Sequence, residues 1–472
     1  MSLYARTVHH HHSAVCKRGS AYRVCAGDRA GGCIGAYLAS CRGRCFFSTG
    51  TDEHGQKIFE AAQKAGQTPQ EYVDHYAAEF QKLKSSLDLS YDAFIRTTDT
   101  KHIQAAQEMW RRCAAKGDIY KKTYTGRYCV GCEAFKTEKE VVEGRCPLHP
   151  NADLKEISEE NYFFKFSNYQ KQLEEYLERS GVVFPEWRRI EALNFVKDGL
   201  EDFSISREAA RLSWGIPVPE DESQVMYVWF DALTNYISTL GWPEDTEGKF
   251  KKFWTEGTTL QVAGKDQVRF QSLMWQAMLL SAEIKNTDQI FYHGFITSGG
   301  QKMSKSIGNV INPLDLVQRY GTDATRYLLL RHLSPVEDSD LTPEAIHEHY
   351  TANLVNGLGN AVARVMKLAE QYLPEPVIVS ELTSQPVIEY KFNDAMDQIW
   401  SRVSAIDQTI TEHKPFAIVK TDPEAGQKMI TMLVKQLQVV GATLLPYMPG
   451  TAEKILTAIK ENKKPENLFP RL

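Results

Sequence analysis

Hydrophobic positions along most of the chain fall into two periods, and the stretch where neither runs is the first 45 residues. From Phe46 the chain opens with a strand-like stretch, CFFSTGTDEHG. It gives way to segments such as TPQEYVDHYAAEFQKLKSSL, whose apolar residues recur every three or four positions and predict amphipathic helices. Between Ile119 and Phe203 aromatic and β-branched residues alternate around YKKTYTGRYCVGCEAF, which predicts a small β-rich insert. From Ile205 to Gly321 the apolar runs QVMYVWF, TLQVAG and QIFYHGFI stand between helical stretches. Strands alternating with helices predict an α/β domain with a parallel sheet. NPLDLVQRYGTDATRYLLLRHLSP then leads, from about Thr342, into helical patterns with few Gly or Pro, which predict an appended all-α bundle. The expected segments are 1–117 and 205–321 as two halves of one α/β domain, 118–204 as its insert, 322–341 as a link and 342–472 as the bundle.

Bulk composition narrows the class. The chain has 472 residues, 42% hydrophobic and 24% charged, as in soluble globular proteins. No apolar run approaches the ~20 residues needed to span a bilayer. The start is too polar for a secretory signal, so a cytoplasmic protein without membrane attachment is expected. Nine cysteines in so long a chain do not make a disulfide scaffold; metal or free thiols are expected instead. With a net charge of -5, any polyanion must be met by a local basic patch.

Chemistry concentrates first in FITSGGQKMSKSIGN, residues 295–309. Gly299 and Gly300 adjoin, and Lys302 and Lys305 lie three apart around Ser304. Such a loop can close over a triphosphate, its ammonium groups neutralising the charge that builds on leaving pyrophosphate. Taken alone it is a solvated Lys/Ser loop. The letters KMSKS, however, reproduce the signature of the class I aminoacyl-tRNA synthetases, and from Phe46 onward the chain resembles the methionyl branch of that family. The resemblance implies a Rossmann-like catalytic domain with a zinc-binding insert and an anticodon-binding bundle. It also implies ligation of L-methionine to methionine tRNA at the expense of ATP with Mg2+. Lys302, Ser304 and Lys305 would act on the phosphates, with Met303 and Gly294 of YHGFI at the nucleotide.

The same resemblance assigns an amino-acid site. Asp52 of TGTDEHGQK would bind the α-ammonium from the end of a parallel strand, where such sheets place ligand groups. Trp229, Ala232, Leu233 and Tyr236 of WFDALTNY recur at helical spacing; by periodicity they are a core stripe, and by resemblance one wall of the methionine pocket. GKDQVRFQSLMW supplies the other wall, with Lys265, Asp266, Phe270, Gln271 and Trp275; many members carry His where this chain has Gln271. A thioether offers almost no hydrogen bonds, so selection rests on shape and sulfur-aromatic contact.

Cys129, Cys132, Cys146 and His149 read C-x2-C and C-x2-H, the spacing of two knuckles gripping one structural Zn2+. In the bundle the resemblance places Asn360, Arg364 and Phe416 at anticodon contacts. Phe416 stands where members commonly have Trp, and still offers a face on which an unstacked base can lie. A monomer is expected, since the chain ends at Leu472 without the dimerising domain some members append. A sister enzyme for leucine, isoleucine, valine or cysteine, or a non-catalytic tRNA-binding relative, are the alternatives.

One motif of the family, a histidine signature near HIGH, is absent. It belongs in the anomalous first 45 residues, which hold five cysteines, seven basic residues, one acid and His9 to His12. Read one nucleotide later, the codons behind CKRGSAYRV permit V-N-G-A-P-H-I-G, and those behind AGGCIGA permit L-A-D-V-L-A-R. The expectation is that residues up to about Cys45 are an out-of-frame reading of the enzyme's own N-terminus. A truncated histidine tag or a second metal cluster are the rival readings.

Overall fold

The computed structural model describes residues 12–17, 45–130, 134–136, 141–147, 153–303, 309–377 and 390–472. These fall into two compact units, one formed mainly by residues 43–82 and 91–293, the other by 83–90 and 294–472.

The first unit is built on a six-stranded sheet of β1 (His12–Lys17), β2 (Cys45–Thr51), β3 (Ala93–Arg96), β4 (Val183–Phe184), β5 (Gly257–Gly264) and β6 (Gln289–His293), in the order β3-β2-β1-β5-β6-β4. β2 with β3, β5 with β6, and β6 with β4 are parallel. β2 is buried over nearly its whole length, as strands covered on both faces are, so that Ser48, Thr49 and Thr51 are buried along with Phe46 and Phe47. Gly50 is required there by close approach: a Cβ would stand 2.0 Å from the carbonyl oxygen of Ile95 on β3.

β1 departs from the sequence expectation twice. No strand period runs through the anomalous stretch, yet His12–Lys17 forms a strand, and it pairs antiparallel with both β2 and β5 in a sheet whose other pairs are parallel. The cause lies in its neighbours. The facing edges of β2 and β5 present unpaired N–H and C=O groups, and an extended backbone between them satisfies those groups whatever its side chains.

The insert region carries an antiparallel sheet in the order Ala134–Lys136, Ile119–Cys129, Lys155–Phe164, Phe203–Ser204. The chain between its last two strands leaves it: β4, within 118–204, joins the edge of the main sheet. The core of the unit gathers around Trp110, Phe164, Phe230, Trp254 and Trp275, all buried.

The second unit opens with a small sheet of Ile296–Ser298, Gln301–Lys302 and Ser339–Asp340. Helices follow, the longest being Phe392–His413 and Pro423–Leu444. Within this unit the buried guanidinium of Arg326 donates to the carbonyls of Leu87, Pro446 and Tyr447 at 2.7 to 3.0 Å, tying three separate chain segments together. No described helix is long and apolar enough to cross a membrane.

Candidate active site

The strand end carrying Asp52 is assembled from chemistry the sequence reading did not foresee. Asp52 and Glu53 are both almost fully buried, and Glu53 is taken up by structure. Arg96 donates to it through Nε (2.7 Å) and Nη2 (2.9 Å), Thr51 Oγ1 donates at 2.6 Å, and its amide donates to Thr97 Oγ1 at 2.9 Å. The Trp214 indole donates to the Glu53 carbonyl at 2.6 Å. The acidic pair therefore splits: Glu53 anchors the strand end, and Asp52 stands beside it where the amino acid is expected.

The two segments expected to wall the methionine pocket come together in the same unit. Trp229 stacks on Phe270 with ring centroids 4.0 Å apart, and Tyr236 packs against Trp275 at 5.9 Å. Trp229, Ala232, Leu233, Tyr236, Gln271 and Trp275 are buried. Burial pushes the Tyr236 phenol well up, opposed by its hydrogen bond with Gln271. Gln271 thus meets the side chain of the opposite wall. The first wall is not one continuous helix. It breaks into Val228–Ala232 and Asn235–Ser238, because the Asn235 side chain takes the Ala232 carbonyl at 2.6 Å and competes with the helical ladder. Phe270–Met274 of the second wall is a π-helical turn, a geometry frequent at functional sites.

Beneath the first wall lies a cluster absent from the sequence reading. Asp231 accepts from His54 Nδ1 at 2.7 Å and from His102 Nε2 at 2.8 Å, and His102 Nδ1 lies 2.9 Å from Ser238 Oγ. Burial alone would raise the Asp231 carboxyl; the two imidazoles outweigh it and hold the group below the usual carboxylate range. The signal available in the sequence was a charged residue in the middle of an apolar helical stripe.

In the second unit Gly299 and Gly300, both with positive φ, turn the hairpin that leads into KMSKS. Asp340 accepts from Thr297 Oγ1 and the Gly300 amide, each at 2.8 Å, and those bonds with the backbone foremost lower its carboxyl. Gly294, expected to admit adenine, is needed for packing: a Cβ there would sit 2.0 Å from the Glu337 carbonyl oxygen. Ser304 and Lys305 lie outside the described residues, Met303 is half-buried, and of Lys302 the backbone is described, pairing with Thr297.

Cys129 ends its strand and Cys146 follows a tight turn at Glu143 and Gly144; both are fully buried and neither is in a disulfide. Cys132 and His149 lie outside the described residues, among which no group of three or more potential metal ligands occurs. In the helical region Asn360 is exposed and Phe416 is 44% exposed, while Arg364 is ion-paired with Asp407. The signature position lies outside the described residues, as does the anomalous stretch apart from β1 and Cys45.

The model of a family described as tRNA synthetases class I (M) matches residues 35–156 and 150–366. Methionine–tRNA ligase of Fusobacterium nucleatum is 38% identical over 95% of this chain and 73% of its own length. That of Caldanaerobacter subterraneus is 39% identical over 87% and 67% respectively. Methionyl-tRNA synthetase of Mycobacterium tuberculosis, solved with methionyl-adenylate, superposes with a TM-score of 0.82 at 33% identity, covering 94% of this chain and 92% of that one.

Proposed function

The chain belongs to the class I tRNA synthetases, within the methionine–tRNA ligases, and from that membership we propose how its residues activate L-methionine with ATP and pass the methionyl group to methionine tRNA. The observation that carries the proposal is the pair of aromatic contacts, Trp229 on the half-buried Phe270 and Tyr236 against Trp275, all packed in one core cluster. It offers shape and polarizable ring contact rather than polar partners, which suits a thioether. Asp52 binds the α-ammonium, and Ala232, Leu233 and Gln271 complete the walls. The methionine carboxylate then attacks the α-phosphate of ATP, with adenylate formed and pyrophosphate leaving. Lys302, Ser304 and Lys305 stabilise the charge on that leaving group, Mg2+ arriving with the nucleotide, and Gly294 and Met303 flank the adenosine. Catalysis here is positional and electrostatic.

Two further assignments complete the reading. Cys129, Cys132, Cys146 and His149 hold a structural Zn2+, supported by the burial of the two described thiols at a strand end and a tight turn. Asn360, Arg364 and Phe416 meet the anticodon, supported by the exposed ring of Phe416. The enzyme works as a cytoplasmic monomer. Charging of total bacterial tRNA with each of the twenty amino acids tests the function: methionine alone should be esterified, and preferential attachment of leucine, isoleucine, valine or cysteine would overturn it.

A second reading concerns the first 45 residues. β1 is antiparallel at the centre of an otherwise parallel sheet, which supports an out-of-frame origin for the segment where the histidine signature belongs. On that reading the printed chain forms adenylate slowly while keeping its later sites.

A further inference from the structure

The cluster of His54, Asp231, His102 and Ser238 lies where two parts of the methionine site adjoin, and none of its members contacts substrate in the reading above. His102 and Asp231 are wholly buried and His54 is 6% exposed. An ionised carboxylate can only accept hydrogen bonds, so Asp231 fixes a hydrogen on Nδ1 of His54 and another on Nε2 of His102. The Ser238 hydroxyl then serves the remaining nitrogen of His102. Both oxygens of the carboxylate are engaged, each by a ring from a different chain segment.

The connectivity gives the cluster its role. His54 follows Asp52 by two residues, and Asp231 follows Trp229 by two and precedes Tyr236 by five. All amino acids share the ammonium group, so a pocket can measure side-chain length only if the group holding the ammonium is fixed relative to the pocket wall. We propose that Asp231 is a positioning residue that, through His54, fixes the segment carrying Asp52 against the wall carrying Trp229 and Tyr236. His102 holds Asp231 from behind, its ring rooted in the helix Thr100–Ala115. The inference rests on the reading that Asp52 and this wall bind methionine.

Amide side chains distinguish the two ring nitrogens: Asn can place its NH2 near the position of Nδ1, and Gln near that of Nε2. Methionine and ATP affinities are measured separately by calorimetric titration of the full chain, together with Tm. His54→Asn keeps the donor to Asp231 and should bind methionine within about threefold of the unsubstituted chain. His54→Gln misplaces it and should lose about tenfold or more for methionine, with ATP unchanged. His102→Gln and His102→Asn should show the reverse order, and serve where the His54 pair folds poorly. Equal methionine affinities within both pairs, or methionine and ATP weakening together in step with Tm, would overturn the positioning role. An unsubstituted chain that binds ATP but no methionine would instead overturn the site reading, and the inference with it.

Discussion

Trp229 and Phe270 lie 4.0 Å apart, ring on ring, and in the proposed site each belongs to one wall of the methionine pocket. Trp229→Ala removes one face of that stack. Methionine affinity should fall about ten- to a hundredfold, roughly 1.4 to 2.8 kcal/mol, while ATP affinity changes little; equal losses for both would mean a core role. Arg96 is the second residue whose removal is diagnostic. Glu53 is 2% exposed and paired to it twice, so Arg96→Ala leaves a buried carboxylate without its cation and should cost about 3 kcal/mol in urea denaturation. An unchanged midpoint would refute that anchor. At this scale the local motifs WFDALTNY and GKDQVRFQSLMW marked the residues whose rings the fold brings together. The histidine cluster was not legible, because Asp231 meets partners 177 and 129 residues away. Glu53 hid for the same reason: nothing near it in sequence announces Arg96, 43 residues on.

Elements carry the next layer. The hairpin Ile296–Ser298 and Gln301–Lys302 is held by Asp340, and its entry depends on Gly294 passing close to the backbone of residues 337–338. Gly294→Ala should destabilise by about 1 to 3 kcal/mol, seen as a lowered Tm; a variant as stable as the parent would mean that the 337–338 segment yields freely. Among the helices, His332 and His349 stack with centroids 3.7 Å apart. Burial, then His349 and Arg331, pull the His332 pKa down to about 4 from 6.5, with Asp397 opposing. Its folded value lies below its unfolded one, so the unfolded state binds the extra proton, and stability present above pH 6.5 is lost as pH falls toward 4. His332→Gln should flatten that limb of a stability–pH profile; an unaltered limb would assign it to other groups. Period and punctuation made the helices and the buried strands legible. β1 was not legible, since its strand character comes from the edges it bridges, and the break between Ala232 and Asn235 comes from one side-chain bond that helical spacing cannot register.

At the scale of the whole molecule, sheet unit and helical unit were both anticipated from the alternation of strand and helix signals, whereas β4 joins the main sheet from within the expected insert, a pairing that two residues cannot advertise. The metal reading predicts one zinc per chain by elemental analysis, lost when Cys129→Ser and Cys146→Ser are combined; a preparation well below one would remove the site. The frame reading predicts that the coding DNA permits V-N-G-A-P-H-I-G one nucleotide on, and that restoring this frame raises adenylate formation by at least the ~10² to 10³ attached to a single transition-state donor. The central claim, methionine activation, is tested most directly by amino-acid-dependent ATP–pyrophosphate exchange, run on the printed and frame-restored chains with methionine, leucine, isoleucine, valine and cysteine in turn. The account predicts exchange with methionine alone, faster in the restored chain. Exchange driven as well by any of the other four, or none with methionine in either chain, would contradict it.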